Sequence, residues 1–160
     1  MFQADDKIRE IAEAYSLDAV DHANNAGIRL DWSDQSIEKV EEILRMLHQE
    51  MSTAKPSTEQ VRTFARMYGS YTGEVFRKNH GGTWGMVTID GDRFPGMEAT
   101  KATLSFWPWG RVQNRILKGP EDNVWHYYQA LLHKLEPADS RESRSLPPEQ
   151  MKRRRWWRFW

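Results

Sequence analysis

In the stretch GSYTGEVFRKNHGGTW, Gly69 to Trp84, a carboxylate and an imidazole stand six residues apart. Near a shared cleft, Glu74 and His80 could act as general acid and base in a small hydrolase or transferase. The same Glu74 also reads as a structural anchor held by Arg77 or by backbone donors. A third reading is a solvated helix residue paired with Lys78, a surface contact worth little. Other catalytic patterns do not occur: there is no Gly-x-Ser-x-Gly elbow, no phosphate-binding loop and no His-Glu-x-x-His. His126 and His133 lie seven apart and share a helix face, as ordinary surface histidines do. No metal site and no cofactor is expected. The absence of cysteine removes disulfides, thiol catalysis and cysteine-ligated zinc, and makes a reducing cytosol the expected compartment.

Gly69 and Gly73 are four residues apart inside an expected helix, so they share one side of it. Each costs roughly 1 kcal/mol relative to alanine, and something must compensate. Either another element packs directly on the helix backbone, or the stripe is an open surface for a ligand or partner. Arg62, Arg66 and Arg77 share roughly this stripe, which if exposed would be a basic groove floored by glycine. Farther on, strand alternation sends Phe106 and Trp107 to opposite faces, and Trp109 follows. That cluster reads as core packing or as an aromatic contact for a partner, since tryptophan is enriched at binding hot spots. The partner-binding reading takes Arg62, Arg66, Gly69, Gly73, Glu74, Arg77, His80, Trp107 and Trp109 as its surface.

These residues need elements to hold them. Helical spacing of Ile8, Ile11, Ala12, Tyr15 and Ala19 predicts one or two helices from about Ala4 to Asn25, stopped by Gly27. Ile28, Leu30 and Trp32 alternate as in a short strand or extended link. Ile37, Val40, Leu44, Leu47 and Met51 mark a second helix with Glu38, Glu41 and Glu42 near its positive end. A Ser57–Gln60 capping box opens a third, from about Thr58 to Asn79, with Val61, Phe64, Ala65, Tyr68, Thr72, Val75 and Phe76 inward. Gly81 and Gly82 close it. Val87 and Ile89, an Asp90-Gly91 turn, and the alternating Ala102, Leu104 and Phe106 predict two or three antiparallel strands. Pro108 starts a helix that Gly119-Pro120 ends, and a last helix covers about Glu121 to Leu135 with Val124, Trp125, Tyr128, Leu132 and Leu135 inward. The expected class is α+β: helices on a small antiparallel sheet of two to four strands, in one domain.

That domain is expected over residues 1–136, followed by a polar linker, 137–151, and a basic Trp-rich tail, 152–160. The chain has 23 basic and 23 acidic residues, but Lys152, Arg153, Arg154, Arg155 and Arg158 concentrate five positive charges in the tail. The remainder is acidic, which argues against a broad nucleic-acid-binding face. Trp156, Trp157, Phe159 and Trp160 give the tail two principal readings. It docks on the body or on a partner, or it associates with an anionic membrane surface, where aromatics and basic residues are favoured. Stacking on single-stranded nucleic acid is a third reading of the tail. The charged start MFQADDKIRE lacks the apolar core of a signal peptide, and no apolar run approaches the roughly 18 residues of a membrane span. A cytoplasmic protein, peripheral at the membrane if the tail binds lipid, is the expectation.

Three stretches in order, LDWSDQSIEKVEEIL, GSYTGEVFRKNHGGTW and FWPWGRVQNRILKGPED, resemble a loose group of small uncharacterised bacterial proteins. That group shares a helical Gly-x-x-x-Gly-Glu motif, a Gly-Gly-x-Trp and a later Pro-x-x-x-Val. The resemblance spans about Leu30 to Leu135 and not the tail. It implies a fold but no established chemistry. By analogy with small acidic cytosolic proteins of this kind, the first expectation is a non-enzymatic protein-binding module. An immunity protein or adaptor is the model, with a toxin or effector as partner. The alternatives are a membrane-associated protein anchored by its tail, and a small enzyme using Glu74 and His80.

Overall fold

The computed structural model describes residues 1–137. The linker beyond Pro137 and the tail, Lys152 to Trp160, lie outside the described residues, and so do the docking and membrane readings attached to them. The chain adopts the expected α+β class: β1 (Phe2–Ala4), α1 (Asp6–Asn25), α2 (Ser36–Ala54), α3 (Thr58–His80), β2 (Gly82–Ile89), β3 (Asp92–Ala99), β4 (Ser105–Phe106), α4 (Pro108–Lys118) and α5 (Val124–Leu135). A 3₁₀ turn at Pro120–Asp122 joins the last two helices. The four strands form one antiparallel sheet in the order β1-β2-β3-β4. No helix among the described residues is long and apolar enough to cross a membrane.

Most local signals act as read. The Ser57 side chain accepts from the Gln60 amide, and the Gln60 side chain accepts from the Ser57 amide, which closes the capping box of α3. Asp90 and Gly91 both take positive φ, the geometry of a tight hairpin turn, between β2 and β3. Pro108 is the first residue of α4. Gly81 alone stops α3, at φ +83°; Gly82 is already the first residue of β2, opposite Ala99.

Four boundaries differ from the sequence reading. Residues 2–4 are a strand, not the start of a helix: Phe2 faces Val87 and Ala4 faces Gly85, pairings that no local pattern reveals. Ile28 to Trp32 is not a strand. Trp32 takes φ +65°, its amide donates to the Tyr71 hydroxyl at 2.9 Å, and side chains rather than a ladder hold the loop. The strand at Ala102–Phe106 shrinks to Ser105–Phe106, because residues 100–103 turn tightly enough for Leu104 to bond Ala102 and Ala99. Finally, α5 begins at Val124, where the Asn123 side chain accepts from the His126 amide.

Helix α3 is the axis of the molecule and packs most extensively against α1 and α4. Every residue from Met67 to Phe76 is buried, so this segment is enclosed on all sides. That enclosure settles the role of the glycine pair. A Cβ at Gly69 would lie 2.7 Å from the Trp109 Cα and 2.9 Å from the Pro108 carbonyl oxygen, at the start of α4. A Cβ at Gly73 would overlap the six-membered ring of Trp84 on β2. The propensity cost of two helical glycines is therefore offset by close approach of a helix and a tryptophan to bare backbone.

Gly69→Ala and Gly73→Ala would each gain about 1 kcal/mol of helix propensity, but overpacking costs typically 1–3 kcal/mol and more against backbone. Both variants are expected to unfold at lower urea than the wild type. Unchanged midpoints for both would refute close packing at this stripe.

Candidate functional site

Glu74 has 1% of its surface exposed, and its oxygens are filled by two neighbours. Arg77 donates twice, Nε to Oε1 at 2.9 Å and Nη2 to Oε2 at 2.7 Å. The indole N–H of Trp84 donates to Oε1 at 2.8 Å. The hydrogen bonds from Arg77 to Glu74 hold its guanidinium above its usual range. Glu74 is thus the structural anchor among its three readings.

His80 belongs to a different cluster. Its Nε2 lies 2.9 and 3.0 Å from the two oxygens of Asp34, in the loop before α2. Asp34 also accepts from the Tyr128 hydroxyl on α5 at 2.5 Å and from the Asn79 side chain at 3.3 Å. Burial, followed by the Asp34 carboxylate, pushes the Tyr128 phenol well above its ordinary range, which keeps it a donor. Asp34 thereby ties the loop after α1 to the end of α3 and to α5. Glu74 bonds Arg77 and Trp84 whereas His80 bonds Asp34, and neither lines either of the two hollows described below. The acid–base pair read from the sequence is divided between two separate clusters. Among the described residues, no group of three or more histidines and carboxylates is placed to hold a metal ion.

The nine residues nominated for partner binding divide accordingly. Gly69, Gly73 and Glu74 are buried under Trp109 and Trp84, so they cannot form an open surface; this corrects the picture of a groove floored by glycine. Arg77 is about one-third exposed but committed to Glu74, and His80 to Asp34. The remaining four, Arg62, Arg66, Trp107 and Trp109, come together. They line a hollow of about 610 Å³ between the first half of α3, the β2–β3 hairpin, β4, α4 and α5.

Each wall has a local cause. Arg62 and Arg66 are one helical turn apart on α3, N-terminal to the point where the same stripe disappears beneath Trp109. Trp109 is fixed by Gly69 below and by its indole N–H donating to the Ser70 hydroxyl at 2.8 Å. The Arg66 guanidinium stands 6.0 Å from the Trp109 ring centroid. At β4, alternation puts Phe106 in the core, 4.7 Å from Phe76 centroid to centroid, and leaves Trp107 half-buried on the hollow. On α4, Arg111 is nearly buried, bonds Asp122 at 3.1 Å and lies 4.4 Å from the Tyr127 ring centroid.

Sequence reasoning missed Phe94, Arg111, Tyr127 and Leu131 as lining residues. The usable signal was on the last helix, where Tyr127, Ala130, Leu131 and Lys134 form a second stripe beside the inward one. Phe94, 45% exposed beside Pro95, had no local signal, because only the hairpin's position over α4 brings it to the hollow. A second hollow of about 280 Å³, between α2, α3 and α4, shares Arg62 and Gln113 with the first.

No protein-family model, no curated protein and no solved structure matches the chain.

Two measurements follow from these clusters. Glu74→Ala would leave Arg77 and the buried Trp84 N–H unpaired, at a cost of about 3–5 kcal/mol. Trp84→Phe would cost about 1–3 kcal/mol through the lost donor, and the double variant should cost less than the sum. Strict additivity in urea denaturation would mean that the indole–carboxylate bond contributes nothing. The second concerns alkali. Burial raises the phenols of Tyr68, Tyr71, Tyr127 and Tyr128 above their ordinary value. Above about pH 10 the unfolded chain releases these protons while the fold retains them. Stability is therefore complete below about pH 10 and falls above it, by about 1.4 kcal/mol per pH unit for each phenol held protonated. Absorbance titration should show them ionising together with unfolding. Reversible ionisation of all four in a folded chain would contradict their burial.

Proposed function

We propose that this chain is a non-catalytic protein-binding module whose contact surface is the aromatic hollow at Trp107 and Trp109, working in the manner of a cytoplasmic immunity protein or adaptor. One observation carries the reading. The apolar lining of the hollow includes two large exposed side chains of the β2–β3 hairpin, Ile89 at 44% and Phe94 at 45% exposure. Large apolar side chains exposed together at an open hollow favour a protein segment as the occupant. Tryptophan and arginine, residue types that dominate binding energy at interfaces, stand together in its lining as Trp107, Trp109 and Arg66. The enzyme alternative loses support because Glu74 and His80 are spent on separate structural clusters.

A photoreactive benzoylphenylalanine in place of Phe94, in the full chain expressed in its native host, tests this. One discrete protein adduct is expected, absent when the same group replaces Leu17, which is 59% exposed on α1 and remote from the hollow. Adduct formation should fall by about tenfold on Trp109→Ala, the usual scale for losing an aromatic anchor. No adduct at position 94, or the same adducts at both positions, would reject the reading.

A further inference from the structure

The charge of the hollow specifies what it takes. Its lining carries Arg62, Arg66, Arg111 and Lys134 against the single carboxylate of Glu121, on a chain that is acidic outside its tail. Arg111 is neutralised by Asp122. Arg62 contacts Glu59 at 2.6 Å, but that pair is 48% and 75% exposed and so holds it weakly. Arg66, poised over Trp109, has its guanidinium at the edge of the aromatic floor. Arg62 also borders the second hollow.

Resting on the protein-binding reading, we propose that the occupant is an acidic segment of a partner protein. Two of its carboxylates, one turn or two strand residues apart, meet Arg62 and Arg66, and its apolar or aromatic side chains enter the hollow beside Trp107 and Trp109. Charge complementarity selects this occupant. A cationic segment would bring like charges to two arginines at a surface that binding desolvates, and such juxtapositions suppress wrong partners at interfaces. The chain's own tail has suitable aromatic residues, Trp156, Trp157 and Trp160, but surrounds them with five cations. A neutral apolar segment would fill the hollow and leave Arg66 facing no countercharge and Arg62 only the exposed Glu59. Arginine suits the role because its planar fork binds a carboxylate through two hydrogen bonds.

The test is selection of a displayed random peptide library on the full chain, followed by solution binding of the recovered peptides. Recovered sequences are expected to be enriched several-fold in Asp and Glu next to Phe, Trp, Leu or Met. A synthetic representative should bind at least about tenfold more weakly to Arg66→Glu, with the loss reversed when its carboxylates are exchanged for lysines. Arg62→Glu should act in the same direction. Both arginines are on the surface side of α3, and thermal melts should confirm that the variants stay folded. Raising salt should weaken the acidic peptide, because the contacts lie within reach of screening ions. Neutral or basic recovered peptides, or acidic ones indifferent to Arg66→Glu, would overturn the charge assignment while an adduct at position 94 kept the protein-binding reading alive. No recovered peptide together with no adduct would remove both. Dodecanoate binding in the absence of any peptide would overturn the proposal by assigning the hollow to a small anionic amphiphile. Peptide recovery on a Trp156→Ser, Trp157→Ser, Trp160→Ser variant but not on the wild type would overturn it by assigning the hollow to the tail.

Discussion

The carboxylate of Glu74 sits in the middle of α3 with almost none of its surface in water, where an unpaired charge would cost several kcal/mol. Its position is tolerable only because Arg77, one turn along, and the indole of Trp84 together fill its oxygens. Trp84 can reach it only because Gly73 leaves the helix backbone bare. Carboxylate, glycine and tryptophan are therefore one device. It fixes β2, and with it the sheet, against α3 at a single register and rotation. Gly69 repeats the principle one turn earlier with Trp109, whose N–H is satisfied by Ser70, and so seats α4. The Trp84 and Trp109 rings then lie 5.9 Å apart between centroids, so the two devices share a wall.

Other buried polar contacts extend this frame. Arg115, 2% exposed, donates to Glu41 at 2.6 Å, and the second oxygen of Glu41 accepts from the Val124 amide at 2.8 Å. One carboxylate on α2 thus pairs with a charge on α4 and satisfies the exposed amide end of α5. Arg111 with Asp122, and Asp34 with His80 and Tyr128, add further ties between α4, α5, α3 and the loop after α1. Such pairs add less stability than their count suggests, since desolvation offsets most of the attraction. Their consequence here is geometric. The elements that wall the hollow are held by directional contacts as well as by the apolar core, so the hollow is preformed, which limits the ordering cost that binding must meet.

What the sequence disclosed follows from where each piece of information resides. Caps, hairpin turn and helix stops depend on a few neighbouring residues, and Ser57–Gln60, Asp90-Gly91, Pro108 and Gly81 were legible for that reason. The compensation demanded by Gly69 and Gly73 was also legible, because a helix propensity cost is local, although the identity of the packing partners was not. Strand β1 was invisible because its only reason to be a strand is β2, some eighty residues away. The enclosure of Met67 to Phe76 was understated because it includes Ser70, Tyr71 and Glu74, which lie off the inward stripe of an amphipathic pattern. The same limit applied to the site. Trp107 and Trp109 announced themselves by residue type, whereas Phe94 and Tyr127 reach the hollow only through tertiary placement.

The division of α3 explains why the arginine stripe and the glycine stripe looked like one feature. Arg62, Arg66, Gly69 and Gly73 follow the same face of the helix, but α4 crosses that face at Gly69. N-terminal to the crossing the face looks into the hollow, and C-terminal to it the face is core. Trp109 stands on the boundary: one side of it rests on Gly69, and another contributes to the hollow beneath Arg66. On the protein-binding proposal, a residue in that position would couple stability to recognition. Any occupant that presses on the Trp109 ring presses also on the contact that seats α4, and any change that unseats α4 removes the floor on which the occupant would rest. The site and the core are two faces of one helix crossing, and the small residue at Gly69 is what lets the crossing occur.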